Sequence, residues 1–289
     1  MPALLALIAV TAVWGVTFVQ VKDAVALYPL FPFLALRFGI ASLTLAVPGV
    51  RRLRGLGRGG LAAGALAGGL LAAGYALQTL GLERTSVSSA GFVTGMYVVL
   101  TPLLALACFR MRVGVRALSG AMLATAGLAL LAGVHGGSAG GDLIVLGGAA
   151  VYSVQIVLME RYAPRYDALA FTLVEMLAAF GVLGIAAAPT AAFPHGWTVW
   201  GALLVTGIFA SALGFLVQTW AQQRTSATRT ALVFTLEPVW AALFGYTLAG
   251  DRLGAAGWAG CVVIMAGIVL AEPAAGDVLA RLVRRPRVA

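Results

Sequence analysis

Long apolar stretches separated by short polar ones make up almost the whole chain. Ten stretches are continuously apolar for about 20 residues, the length that a helix needs to cross a bilayer. They predict transmembrane helices over 3–21, 31–50, 60–81, 88–108, 116–134, 142–160, 168–187, 198–222, 227–249 and 253–271. The runs do not alternate in segments of about ten residues, so they favour helices over barrel strands. The pattern predicts an all-α integral membrane protein.

The second half of the chain repeats the first. GYALQTLGLERTS at 74–86 returns as GFLVQTWAQQRTS at 214–226. Two further pairs align, 12–22 with 150–160 and 94–107 with 230–243. Each copy holds five predicted spans, and because five is odd the copies cross the membrane in opposite directions, as in alternating-access transporters. Two inverted five-helix repeats are predicted over 1–134 and 142–271, with a linker at 135–141 and a basic tail at 272–289.

Composition and charge agree with this topology. Apolar residues make up 61% of the chain and charged residues 10%, which leaves no soluble domain. Most of the 19 Lys and Arg residues fall in loops on the side of the N-terminus, which predicts that both termini are cytoplasmic. The net charge of +9 is therefore explained by membrane topology, and no nucleic-acid partner is expected.

The sequence lacks two common catalytic motifs. A nucleotide-binding GxxxxGK[ST] loop is excluded because Lys22 is the only lysine, and HExxH does not occur. His135 and His195 lie in separate predicted loops, and Cys108 and Cys261 lie in apolar spans without CxxC spacing. We expect no enzyme activity, no cofactor and no metal. A channel or a structural assembly factor would also be helical and duplicated, and stays an alternative.

Polar and aromatic side chains recur at spacings of three or four on single faces of several spans. Such faces turn away from lipid, where polar groups would be unpaired, toward other helices or a water-filled cavity. Matching sets in both halves predict a central cavity with pseudo-symmetric walls. The candidate solute-binding residues are Trp14, Thr17, Phe18, Tyr75, Gln78, Tyr97, Thr101, Tyr152, Gln155, Phe215, Gln218, Phe234 and Glu237. For any one of them, packing or an interhelical hydrogen bond is the alternative role.

Glu237 is the most informative candidate because it lies near the middle of its predicted span. An ionised carboxylate at that depth is costly unless it is paired or protonated. Contact with a solute's amino group and uptake of a proton are the functional interpretations, and a protonated side chain bonded to local backbone is the structural one. Pro238 follows it, and Pro102 takes the same place in the first half, so both are predicted hinges.

Arg37 and Glu175 are the other charges within spans, and the repeat places them at equivalent positions. Both are nearer to a membrane surface than Glu237, where snorkelling lowers the cost of a charge. Structural pairing and gating are both open roles for them. Close helix packing is predicted by glycines at helical spacing, namely Gly60, Gly64 and Gly68, Gly120 with Gly127, and Gly260 with Gly267.

Three stretches also carry a family resemblance. They are AVWGVTFVQVK at 12–22, RTSVSSAGFVTGMYVVLTPLLAL at 84–106 and RTSATRTALVFTLEPVWAALFGYTLAGDRLGAAGWAGCVVIMAGIVL at 224–270. On these the chain resembles the ten-span EamA-type members of the drug/metabolite transporter superfamily, and it is similar to their YddG-type exporters of aromatic amino acids. Asp251 departs from the family, which more often has Glu there. The resemblance implies export of small metabolites across a bacterial inner membrane.

These observations predict a secondary transporter that exports a small metabolite, foremost an amino acid, by alternately opening a central cavity. Aromatic walls suit a partly apolar solute, and the shortage of cations within the spans argues against phosphorylated or dicarboxylate solutes. The expected partners are this solute and the lipid bilayer. Proton exchange through Glu237 and facilitated flow are both open as driving forces. A carrier of drugs, nucleobases or other metabolites, and facilitative uptake, are the alternatives within transport.

Overall fold

The computed structural model describes residues 2–85, 87–132, 138–244, 246–247 and 254–271. Within these ranges all regular structure is helical, as a lipid environment requires of backbone groups that have no water to bond. Seven stretches are long and apolar enough to cross a membrane, and further apolar helices bring the described spans to ten. The predicted all-helical membrane fold is confirmed.

The first half contains six helices that form five spans, because the fourth span is divided into α4 and α5. The helices are α1 (Pro2–Leu27), α2 (Leu30–Gly49), α3 (Gly57–Leu82), α4 (Val87–Gly95), α5 (Tyr97–Ala107) and α6 (Val115–Ala132). A 3₁₀ segment, Val50–Gly55, joins α2 to α3. We call the membrane face at which α1 begins the N face and the opposite one the far face.

The second half repeats this order from the far face. Its helices are α7 (Ala139–Tyr162), α8 (Ala168–Ala187), α9 (Trp197–Leu204), α10 (Gly214–Gln222), α11 (Ala227–Phe234), α12 (Leu236–Phe244) and α13 (Ala255–Ala271). A π-helical segment, Val205–Leu213, joins α9 and α10 into the eighth span, and α11 and α12 form the ninth. The predicted ninth span, 227–249, extends beyond the described residues at its end.

The breaks in the fourth and ninth spans do not fall at the predicted hinge prolines. Pro102 lies in the interior of α5, well after the break that follows Gly95. Thr235 separates α11 from α12, and Pro238 lies in the first turn of α12. A first turn accepts proline because its N–H groups have no intrahelical partner. Both breaks precede the proline of their span, and a hinge role for the prolines stays a prediction.

Glycines bring the last spans of the two halves together. A Cβ on Gly127 would lie 2.8 Å from the carbonyl oxygen of Gly260, and one on Gly267 would lie 2.7 Å from that of Gly120. These distances leave no room for a side chain, so α6 and α13 pack backbone against backbone. The predicted packing role of these four glycines is confirmed.

The two halves interlock rather than lie side by side. Helices α2 and α3 both pack against α8, and α3 also packs against α7. A Cβ on Gly64 would lie 2.9 Å from Val174, and one on Gly68 would collide with the carbonyl oxygen of Glu175. The glycine ladder of α3 therefore holds the second half close, and it helps to place polar faces of both halves around one central space.

Candidate functional site

A cavity lies between the two halves. Its wall is formed by α1 to α5 of the first half and by α7, α10, α11 and α12 of the second. The space between the lining residues that is free of protein atoms is about 710 Å³, and part of it is open to the outside. The lining residues are Trp14, Thr17, Val21, Arg37, Tyr75, Gln78, Leu82, Thr94, Tyr97, Tyr152, Gln155, Ile156, Phe215, Gln218, Phe234 and Glu237.

All but two of the predicted solute-binding residues belong to this lining. The side chain of Phe18 lies outside the described part of the chain. Thr101 is fully buried, its Oγ1 has no hydrogen-bond partner among the described residues, and it is not part of the wall. Thr101 lies one helical turn beyond Tyr97 on the same face of α5, so the cavity ends between them. Contact with a solute stays a prediction for the residues of the wall.

Aromatic rings form a continuous part of the wall. The ring of Trp14 lies 5.4 Å from that of Phe215 and 4.9 Å from that of Phe234, centroid to centroid. The ring of Tyr75 lies 5.5 Å from that of Tyr152. Trp14 is fixed further because its Nε1 donates a 2.8 Å hydrogen bond to the carbonyl oxygen of Ala210. Such tilted and edge-to-face contacts favour a rigid apolar surface.

Amide side chains lie between the rings. Gln78 Nε2 donates to Thr94 Oγ1 at 3.2 Å, and Gln78 Oε1 accepts from the Tyr152 hydroxyl at 3.0 Å. Its repeat equivalent, Gln218, donates from Nε2 to Gln155 Oε1 at 3.2 Å. In the described part of the chain, the buried Oε1 of Gln218 has no partner. The two halves therefore contribute matching amides, and one acceptor is left free.

Arg37 does not snorkel toward a membrane surface, although its position in the span would lower the cost of doing so. Only 3% of its surface is exposed, and it lines the cavity. Its Nε donates to Ser211 Oγ at 2.8 Å, and its Nη2 donates to the Tyr75 hydroxyl at 3.0 Å. The guanidinium carbon also lies 4.5 Å from the centroid of the Tyr75 ring. Partners on two other helices hold the charge inside the bundle.

Glu237 is half-buried at the cavity wall. Within the described residues it has no hydrogen bond and no ion-pair partner within 4.0 Å. Arg37 lines the same cavity. The cavity thus contains one guanidinium and one carboxyl group that are not joined to each other.

Glu175 does not reach a surface either. It is fully buried on α8, and its Oε1 accepts a 2.7 Å hydrogen bond from Gln155 Nε2. Its Oε2 has no hydrogen-bond partner among the residues that the structure describes. Gln155 belongs to the cavity wall, so Glu175 lies directly behind that wall and not at a headgroup layer.

Hydrogen bonds close the bundle at the N face. The carboxylate of Glu160, near the end of α7, accepts a 2.6 Å bond from the backbone N–H of Ala227, the first residue of α11. Gln223 Nε2 donates to the carbonyl oxygens of Ala163 and Tyr166 at 3.2 and 3.0 Å. At the far face the cavity wall extends to Val21 and Leu82. The cavity wall thus extends toward the far-face ends of α1 and α3, while these hydrogen bonds join helix ends at the N face.

Metal ligands are not clustered in the residues that the structure describes. His135 lies outside those residues, and His195 makes a ring contact with Phe193 at 5.8 Å. The chemistry available at the cavity is accordingly that of recognition: one cation, one carboxyl group, amides, hydroxyls and aromatic faces. No nucleophile and base are paired at its wall.

Five residues line the cavity but are absent from the predicted solute-binding set. They are Val21, Arg37, Leu82, Thr94 and Ile156. Arg37 is the important omission, and its signal was present as a charge inside an apolar span. Sequence alone gives the depth of such a residue but not the direction of its long side chain. Thr94 lies three residues before Tyr97 on a polar face, so spacing alone could have included it.

Ten spans from two halves and a polar, aromatic cavity between them define a multi-pass membrane transporter rather than an enzyme. The chain belongs to the EamA-like transporter family, whose profile matches residues 1–133 and 139–271. An "Uncharacterized transporter" of Archaeoglobus fulgidus is 30% identical over 271 residues, which cover 92% of this chain and 84% of that protein. A crystal structure of a protein 20% identical in sequence has the same fold, with a TM-score of 0.79 over 96% of this chain and 99% of that one.

Proposed function

We propose that the protein exports amino acids with uncharged, foremost aromatic or other apolar, side chains by alternating access. The repeats over 1–134 and 142–271, linked by 135–141, are the two moving halves. Both termini and the basic tail at 272–289 lie in the cytoplasm, so the N face is the cytoplasmic face of the bacterial inner membrane. The sequence resemblance to bacterial exporters supports the direction of transport, and the basic loops support the orientation.

The observation that carries this proposal is the composition of the cavity wall. Six aromatic rings lie beside amides from both halves, around a carboxyl group that has no partner within the described residues. Aromatic faces favour an apolar side chain, and an unpaired carboxyl group favours an ammonium ion. An amino acid with an apolar side chain carries both groups.

The arrangement of the ends supports alternating access. Hydrogen bonds of Glu160 and Gln223 join the N-face ends of α7, α10 and α11. The cavity extends instead toward Val21 and Leu82 at the far face. An inverted repeat has a second state in which the halves exchange these roles, and such an exchange moves a solute from one face to the other.

Counterflow of labelled amino acids across proteoliposomes tests the proposal. Vesicles loaded with an unlabelled amino acid should accumulate the labelled one, and aromatic and aliphatic members of the panel should be carried better than charged ones. Glu237→Gln should lower this counterflow by roughly tenfold or more, the value of one lost charge-assisted contact. Asp23→Asn, at an exposed acid of α1, is the control and should leave it unchanged.

Two results would contradict the proposal. Folded wild-type protein that exchanges none of the amino acids would remove the solute class. Flux through the wild-type protein without any stimulation by solute on the opposite side would indicate a channel in place of a carrier. In both arms, thermal unfolding in detergent shows that the protein is folded.

A further inference from the structure

Arg37 has more hydrogen-bonding capacity than the protein uses. A guanidinium group has donors on Nε and on both Nη atoms. Nε donates to Ser211 and Nη2 to Tyr75, while Nη1 donates to none of the described residues. Because Arg37 lines the cavity, this unused end of the planar group is available to a molecule inside it.

The charge of Arg37 is also not neutralised by contact. In the described part of the chain, no carboxylate oxygen lies within 4.0 Å of it. Burying a guanidinium to 3% exposure costs free energy when no anion pairs with it. Inside membranes, such buried charges mark functional sites. Ser211 and Tyr75 hold the group in one orientation, which is the preorganisation that a binding site requires.

The identity of the missing anion follows from the rest of the wall. Arginine binds carboxylate and phosphate groups in a planar, bidentate manner. Glu237 lines the same cavity and would repel the additional negative charge of a phosphate group. A carboxylate close to an ammonium group, by contrast, presents one charge to each of the two residues.

The repeat supports a specific role for these charges. Three aromatic or amide pairs of the wall are repeat equivalents, namely Trp14 with Tyr152, Tyr75 with Phe215 and Gln78 with Gln218. The position equivalent to Arg37 is instead Glu175, which lies behind the wall and is bonded to Gln155. The position equivalent to Glu237 is Thr101, outside the wall. The two charges therefore break the symmetry of the site, so they can hold a solute in one orientation.

We infer that Arg37 binds the carboxylate of the transported solute and, with Glu237 on its ammonium group, makes the cavity selective for zwitterions. The inference rests on the proposed function and adds the residue that determines specificity. Cations are scarce within the spans, but one of them, Arg37, lies directly at the cavity. Ser211 and Tyr75 act as positioning residues for the guanidinium group.

Competition in the counterflow assay tests this inference. The labelled solute is the best-carried amino acid of the panel, and the competitors are the same amino acid, its methyl ester and its deaminated acid. In wild type, the ester should compete roughly 10- to 100-fold less well than the amino acid, because it lacks the charge-assisted contact with Arg37. The deaminated acid should also compete weakly, because it cannot bind Glu237.

Substitutions separate the two charges. Arg37→Gln should reduce the preference for the amino acid over its ester to about twofold or less. Glu237→Gln should reduce the preference for the amino acid over its deaminated acid to the same extent. Arg52→Gln is the matched control, since Arg52 pairs with Asp167 at the surface and its loss should leave both preferences intact. Ser211→Ala should weaken the preference for the amino acid over its ester without abolishing counterflow.

The outcomes distinguish failure of this inference from failure of the proposed amino-acid transport. No counterflow of any amino acid would overturn both. Counterflow of amino acids in which the ester competes as well as the acid would overturn the inference alone, and this comparison needs only wild-type protein. An unchanged preference in folded Arg37→Gln would also overturn it.

Discussion

The ring of Tyr152 lies directly against Gly74: a Cβ on this glycine would stand 2.5 Å from Tyr152 Cε1. The repeat gives the same relationship a second time, since a Cβ on Gly214 would lie 2.9 Å from Trp14 Nε1. In each case, an aromatic residue of one half's first span rests on a glycine of the other half's third span. The paired sequence motifs therefore encode where the rings of the cavity wall can lie.

Gly74→Ala should displace Tyr152 into the cavity, because real side chains do not approach as closely as the added methyl group would. We expect a several-fold loss of counterflow and a destabilisation of about 1–3 kcal/mol, typical of overpacking. Thermal unfolding and counterflow measure the two effects. Gly69→Ala on the same helix is the control, because no atom lies within 4 Å of its added Cβ; if both variants behave alike, the close contact is not important.

The bond between Glu160 and the N–H of Ala227 should stabilise the state in which the N face is closed. Glu160→Ala removes the acceptor, so the equilibrium should shift toward an N-face-open state by a few-fold. A cysteine at Thr17 in a chain without Cys108 and Cys261 should then react faster with a reagent supplied from the N face. Unchanged reactivity would show that Glu160 is not part of the closure.

Lys22 should have the corresponding role at the far face. The repeat aligns Lys22 with Glu160, and it aligns Glu83, which follows α3, with Gln223. In this structure no ion pair within 4.0 Å joins Lys22 and Glu83, both of which are described, and the cavity reaches their neighbours Val21 and Leu82. We expect the two charges to approach each other when the far face closes.

A charge exchange tests that contact. Lys22→Glu should slow counterflow several-fold, because it places two acids at the closing point, and the double variant Lys22→Glu/Glu83→Lys should restore it. Asp23→Lys, at the next and exposed position, serves as a control for a charge change at this face. A double variant as slow as the single one would show that these residues do not meet.

The spans were predictable from sequence because an apolar run of about 20 residues leaves a chain few alternatives to a membrane helix. It was also predictable that Trp14, Tyr75 and Gln218 line one cavity, because polar and aromatic residues recur at helical spacing in both halves. The positions of the helix breaks were not predictable, since a proline shows where a hydrogen bond is lost, whereas the ninth span is interrupted at Thr235, before Pro238.

The environment of Arg37 was beyond sequence reasoning for a different reason. Its orientation depends on Tyr75 and Ser211, which lie on other helices and are distant in sequence. Thr101 shows the opposite limit: it shares a face with Tyr97, but the extent of the cavity along α5 decides that only one of them lines it. Periodicity identifies a face, and tertiary packing decides how much of the face is used.

Protection of a cavity cysteine by the solute shows whether the solute occupies this cavity during transport. Thr17→Cys, in a chain with no other cysteine, is labelled in sealed vesicles from each face in turn, with and without a saturating amino acid that shows counterflow. We expect Thr17→Cys to be labelled from both faces, and to be labelled more slowly when the amino acid is present. Leu27→Cys, exposed at the far-face end of α1, is the control and should not be protected by the amino acid. Labelling at Thr17 that the solute does not change from either face would contradict the claim that this cavity carries it.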